Sequence, residues 1–194
     1  MATLKFVRQI KDSKLLLLGI VEEGESATYT VNLETYENIG SPTSGDFVDE
    51  ATLDSIKYTD EYLRAKKKAL NILAFADNNR RNLLMKLQRA GFSREITETV
   101  CEEMERLGYI NELRQLEIII LNEANHKLRG PMKIIASLSA KGFNSRDIRE
   151  TMNTLVESGE VDFERNAELL LEKKLTSDDE EEKKKILYKN GYKV

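Results

Sequence analysis

The side chains best suited to chemistry are few in this chain, and they stand apart from one another. His126 is the only histidine and Cys101 the only cysteine. That leaves no His pair for zinc and no second candidate base for a Ser-His-Asp arrangement. His126 falls late in a predicted helix beside Lys127 and Arg129, the setting of a helix-end surface residue. Cys101, with Val100 and Met104 close by, reads as a small core residue. The stretch Gly40 to Gly45 lacks the lysine and the strand-to-helix context of a phosphate-binding loop. Carboxylates gather at Glu102, Glu103 and Glu105, and again along residues 178–182, on predicted solvent faces and without a motif. The sequence therefore predicts no catalytic residue, no cofactor and no metal site.

What remains is charge on a surface. The formal net charge is −4, from 30 Lys and Arg against 34 Asp and Glu, but it is unevenly spread. Residues 1–59 and 151–194 are acidic, whereas residues 60–150 are basic. The basic middle holds Lys66, Lys67, Lys68, Arg80, Arg81, Lys86 and Arg89, then Lys127, Arg129, Lys133, Lys141, Arg146 and Arg149. Cations placed on equivalent helices of a repeat line one face and suit an acidic protein surface or phosphates. These thirteen are the candidate partner-binding residues.

The elements that must position them repeat. Leu83 to Phe92 returns as residues 134–143 and, more weakly, as residues 186–192. Gly91 and Gly142 lie 51 residues apart, Gly142 and Gly191 lie 49 apart, and Leu87, Leu138 and Leu187 each stand four residues before their glycine. A period near fifty is the mark of a tandem helical array in which each unit buries its apolar face on the next. Gly108 and Gly159 each follow the first glycine of their unit by 17 residues, so the unit is three helices.

In the first unit Thr59 or Asp60 caps a helix that runs through Tyr62, Ala65, Ala69 and Leu73 to Phe75. A second helix covers Arg80–Arg89 after a break at Asp77, Asn78 and Asn79. Ser93 caps a third, with Ile96, Val100, Met104 and Leu107 inward. The second unit repeats this plan. A helix over 112–128 carries Leu113, Leu116, Ile120 and Ala124 on one face, and Ile118, Ile119 and Leu121 widen that stripe towards burial on two sides. Gly130-Pro131 opens the next helix and Asn144 or Ser145 the last, with Ile148, Met152 and Leu155 or Val156 inward. The third unit opens near Phe163, with a final helix capped by Ser177, Asp178 and Asp179, and lacks a third helix.

Ahead of the repeats the period is that of strands: residues 4–10, 14–21 and 27–33, then a loop and a short helix over 49–57. The fold class expected is mainly α, with tandem three-helix repeats forming an elongated, curved array and a small β-rich N-terminal cap. The domains expected are 1–58, 59–111, 112–162 and a truncated 163–194. With one cysteine, no apolar leader and no membrane-length apolar run, a cytoplasmic monomer is expected.

This tandem pattern resembles the RecX family of bacterial recombination regulators. The residues that carry the resemblance are Ala69 to Leu73, Leu87 with Gly91-Phe92, Leu107 to Asn111, Gly130-Pro131 with Gly142-Phe143, and Gly191-Tyr192. Where relatives open their second helix with an Arg-Pro-Arg-Ser/Thr-x-x-Glu-Leu stretch, this chain has residues 77–83, keeping the cations and Leu83 but not the acidic residue. The resemblance implies a non-enzymatic protein that binds the RecA filament on DNA, with at most weak DNA contact of its own, and dampens its recombination, ATPase and coprotease activities in the SOS response. The alternatives are a helical-repeat module that binds DNA directly or one that binds another acidic protein. Against direct DNA reading, residues 95–105, in the position of a recognition helix, are strongly acidic.

Overall fold

The computed structural model describes residues 2–76, 78–176 and 179–193. They form two compact units: Met1–Ala76 with Leu83–Arg106, and Asp77–Asn82 with Leu107–Val194. Among the described residues no helix is long and apolar enough to cross a membrane.

The first unit opens with β1 (Ala2–Gln9), β2 (Leu15–Glu22) and β3 (Glu25–Asn32), followed by a short helix α1 (Leu33–Asn38) and a two-residue strand β4 (Phe47–Val48). The sheet is antiparallel in the order β3-β2-β1-β4. Its strands begin and end nearer the turns than their residue types suggest. Glu23 and Gly24 both take positive φ, which closes the hairpin in two residues and lets β2 and β3 pair from Glu22 and Glu25. Alternate residues Leu16, Leu18 and Ile20 face inward, and a bulge between Leu4 and Phe6 shifts the inward set of β1 from Leu4 to Val7. Leu53 and Ile56, from the long helix α2 (Glu50–Phe75), complete this core.

One difference from expectation carries weight. The short helix over 49–57 and the helix capped at residue 59 or 60 are a single 26-residue helix, α2. Asp49, not Thr59 or Asp60, is its cap, accepting from the Thr52 amide at 2.7 Å. Thr59 donates back to the Ser55 carbonyl at 2.9 Å, a bond compatible with continued helix. The Asp60 carboxylate is turned elsewhere: it accepts from the Thr30 amide at 2.9 Å and from Arg64 Nε at 2.8 Å. A residue of cap type thus braces the edge strand onto the middle of a helix. After α2 come α3 (Arg80–Arg89) and α4 (Arg94–Arg106), with α4 packed on α2 and Leu83, Leu87, Ile96, Val100, Cys101 and Met104 buried. Ser93 caps α4, as expected.

The second unit holds α5 (Glu112–Leu121), α6 (Pro131–Ala140), α7 (Ser145–Glu157), α8 (Phe163–Lys174) and α9 (Glu180–Lys189). The helix expected over 112–128 is an α-helix only to Leu121. Asn122–His126 is a π-helical turn, with the Lys127 amide bonded to the Asn122 carbonyl at 3.2 Å, and Leu128 then takes φ +52°. Leu116, Ile120, Ala124, Ile134, Leu138, Phe143, Ile148, Met152 and Leu155 form one core. Leu128, Leu170 and Tyr192 form another. Leu107, Leu113 and Ile118, all expected inward, are exposed, because α5 is buried on the Leu116–Ile120 side and Leu107 lies past the end of α4. Leu155, not Val156, takes the buried position at the end of α7. Asn144 caps α7 and Asp179 caps α9; Ser177 and Asp178, and Asp77 before α3, lie outside the described residues.

The turns that suggested a repeat share one geometry. Gly91, Gly142 and Gly191 have φ of +92°, +94° and +88°. In each case the next residue, an aromatic, donates its amide to the leucine carbonyl four residues before the glycine: Phe92 to Leu87 at 3.3 Å, Phe143 to Leu138 at 3.2 Å, Tyr192 to Leu187 at 3.1 Å. This is the Schellman closure, and it requires a left-handed residue at the glycine.

Candidate functional site

The thirteen cations fall into the two units, and the bonds they make sort them. In the first unit Lys66 is not free: its Nζ lies 2.9 Å from the Glu103 carboxylate. Tyr62 also donates a short hydrogen bond to Glu103, and Arg106 lies 3.7 Å away. Glu103 is mostly buried, 16% exposed at its side chain. Burial by itself would raise its carboxyl, but the bonds from Tyr62 and Lys66 overcome this and hold it below the usual carboxylate range. Burial, then the neighbouring carboxylate, pushes the Tyr62 phenol well above its ordinary value. Lys67 and Lys68, on the same helix, are exposed and bonded to no described residue, as is Arg89; Lys86 is exposed.

In the second unit Lys127 and Arg129 converge on Glu123, the first at 2.7 Å and the second in a short contact. Glu123 sits in the π-helical turn and is 5% exposed. Burial acts to raise its carboxyl, but the Lys127 hydrogen bond and the Arg129 charge keep it lowered. These two cations therefore neutralise a buried carboxylate at the junction into α6. Arg146 pairs with Glu150 at 2.7 Å. Lys133 donates to the Lys189 carbonyl at 3.1 Å. Arg80 opens α3 with its amide on Glu112 at 2.7 Å. Arg81, Lys141 and Arg149 are exposed cations with no bonded partner among the described residues. The stem of Arg81 lies over Gly142, where a Cβ would stand 2.7 Å from its Cδ, so Arg81 and Lys141 are brought together.

Lys133 and Lys189 mark a joint. The Gly130 amide donates to the Asn190 carbonyl at 2.8 Å, the Met132 amide to the Gly191 carbonyl at 3.1 Å, and the Tyr192 hydroxyl to the Leu128 carbonyl at 3.2 Å. The glycine turn after α9 thereby satisfies amides at the start of α6 that a helix leaves unpaired. The preceding step has the same layout, with Asn79 Nδ2 donating to the Lys141 carbonyl at 3.0 Å beside the start of α3. Burial of Tyr192 in this joint pushes its phenol up to about 12.

Among the described residues no group of three His, Cys, Asp or Glu is placed to hold a metal ion. Glu103, Glu123 and Tyr62 organise the surface, a role that residue type alone does not announce. The spacing of Glu123 to Lys127 is a readable i, i+4 pair. The 37 residues between Lys66 and Glu103 carry no such signal.

Glycine-closed helical units in tandem, behind a small antiparallel sheet and set with surface cations, define a helical-repeat protein. No protein-family model matches the chain. It is 31% identical over 161 residues to the regulatory protein RecX of Clostridioides difficile (strain 630), covering 83% of this chain and 70% of the relative. It is 29% identical over 129 residues to that of Clostridium acetobutylicum, covering 66% of this chain and 59% of the relative. The chain belongs to the RecX family, a family of regulatory proteins. Its fold is similar to a crystal structure of regulatory protein RecX at TM-score 0.72 and 17% identity, covering 100% of this chain and 95% of that one. Against RecX from Lactobacillus salivarius the TM-score is 0.58 at 21% identity, over 70% and 90% of the two chains.

Proposed function

We propose that this protein binds the filament that the RecA recombinase forms on DNA and lowers its recombination, ATPase and coprotease activities, acting in the cytoplasm without a reaction of its own. Membership of the RecX family is the observation that carries the reading. The repeat supplies the physics: equivalent surfaces in successive units let many weak contacts add through effective concentration. Preferential binding to one filament state would then shift the population of states, to the extent that the affinities differ.

Of the thirteen candidate cations, Lys67, Lys68, Arg81, Arg89, Lys141 and Arg149 are the proposed contact residues, since each is exposed and without a bonded partner among the described residues. Lys66, Lys127 and Arg129 are assigned to folding, being committed to Glu103 and Glu123. Arg146 at the start of α7 is paired with Glu150.

The test is the DNA-dependent ATP hydrolysis of RecA from the same organism, titrated with this protein. Inhibition well below one molecule per RecA favours capping or disassembly, and inhibition near equal amounts favours occupation along the filament. Unchanged hydrolysis at saturating protein would overturn the reading.

A further inference from the structure

Helix α5 separates two hollows of opposite character within the second unit. On one flank a cleft of about 230 Å³ is lined by Ile118, Ile119 and Phe143 and by Asn82, Gln115 and Lys141. It continues past Gln115 and Ile118 into a second hollow that includes Tyr109, Asn111 and Arg114. No carboxylate lines either, in a chain where acidic residues outnumber basic ones. On the other flank Leu113 and Leu121 are joined by Glu117, Glu150 and Glu160, with no cation among the lining residues.

The lining of the cleft combines apolar Ile118, Ile119 and Phe143 with polar Asn79, Asn82, Gln115 and Lys141. Ile118 is 56% exposed and Tyr109 55%, apolar surface left uncovered beside the core. Phe143 is held rigidly beneath by the glycine turn, its amide on Leu138. The Asn82 side chain is half-buried and bonded to no described residue, and Gln115 spends only its amide nitrogen, on the Asn78 carbonyl at 3.3 Å. Two side-chain amides with unused donors and acceptors match a peptide backbone, which offers both. A phosphodiester strand would leave the isoleucines uncovered.

We propose that this cleft docks a short acidic peptide segment of a protein partner, one large apolar side chain resting on Ile118, Ile119 and Phe143 while flanking carboxylates meet Lys141 and Arg114. Charge complementarity selects the segment, and the opposite flank of α5 repels it. The proposal does not depend on the partner being RecA.

The test is selection of a random dodecapeptide library on the immobilised full-length protein, followed by fluorescence anisotropy of the selected peptides. Expected are peptides with Asp and Glu around Leu, Ile, Phe or Met. Their affinity should fall about tenfold in Ile118→Asp, a central apolar contact, and about threefold in Lys141→Glu, a rim charge. Both positions are exposed, so unchanged melting of the variants separates lost docking from lost folding. No enrichment, enrichment of basic or neutral peptides, equal binding by the variants, or displacement of the peptide by an oligothymidylate would each overturn the proposal. Because RecA is absent from the assay, its failure leaves the filament reading intact.

Discussion

At the residue scale, two carboxylates decide what the cations around them can do. Glu123 is buried with Lys127 and Arg129 upon it. Removing its charge strands two cations beside an apolar core, so Glu123→Gln should lower stability by about 2 kcal/mol in denaturant unfolding. Glu103 and Glu123 both titrate below the ordinary carboxylate value of 4.5 in the folded chain. Their contribution is therefore complete above the unfolded-state value, about 4.3, and is lost as pH falls below it through the lowered folded values. The urea midpoint of the wild type should drop between pH 5 and 3 more steeply than that of a Glu103→Gln, Glu123→Gln double variant. Reversal of Glu103 is accordingly no neutral control for a binding experiment, whereas Glu102 and Glu103 looked alike on the predicted solvent face of α4. Sequence spacing shows the cations but not their commitment, since the bond from Lys66 to Glu103 joins two helices.

At the element scale, the turns were legible and the joins were not. Leu87, Leu138 and Leu187 with their glycine-aromatic pairs announce the same closure three times, and the closure is there. By contrast Thr59 and Asp60 have the chemistry of a helix start yet lie inside α2, because the carboxylate is claimed by β3, thirty residues earlier. β4, which the strand pattern passed over, follows from a demand of the same kind, since Ala2 and Thr3 of β1 pair with Val48 and Phe47. By contrast, α1 starts on a local cap, the Thr35 amide on Asn32, and the π-helical turn seats Glu123 against Lys127 four residues on. The turns can be graded by substitution. Ala at Gly91 meets nothing within 4 Å, so only the left-handed φ opposes it and the loss should be about 1 kcal/mol. Ala at Gly191 meets the same φ and also places a Cβ 2.5 Å from the Lys133 amide nitrogen. Gly191→Ala should thus melt several degrees below Gly91→Ala, and an equal loss at the two sites would count against the joint.

For the whole molecule, the proposed binding would draw on charge that folding has not consumed. Reversing Lys67, Lys68, Arg81 and Lys141 together should weaken inhibition of RecA ATPase and flatten its dependence on salt, while Lys127→Gln should act through stability instead. The basic middle was visible in composition, and so were the i, i+4 pairs of Lys127 and Arg146, but the pairing of Lys66 with Glu103 was not, because it forms only once two helices meet. The joint between α6 and the turn after α9 has a further consequence, for synthesis. A chain leaves the ribosome from its N-terminus, yet the amides of Gly130 and Met132 find their acceptors at Asn190 and Gly191. Some sixty residues of translation separate the donor from the acceptor, so α6 emerges with its first turn open and waits. A ribosome stalled before codon 190 would hold a unit whose core around Leu116 and Ile134 is complete but which lacks Tyr192 from the core it shares with Leu128 and Leu170, a nascent species with an open seam, visible to chaperones and proteases until that turn is made.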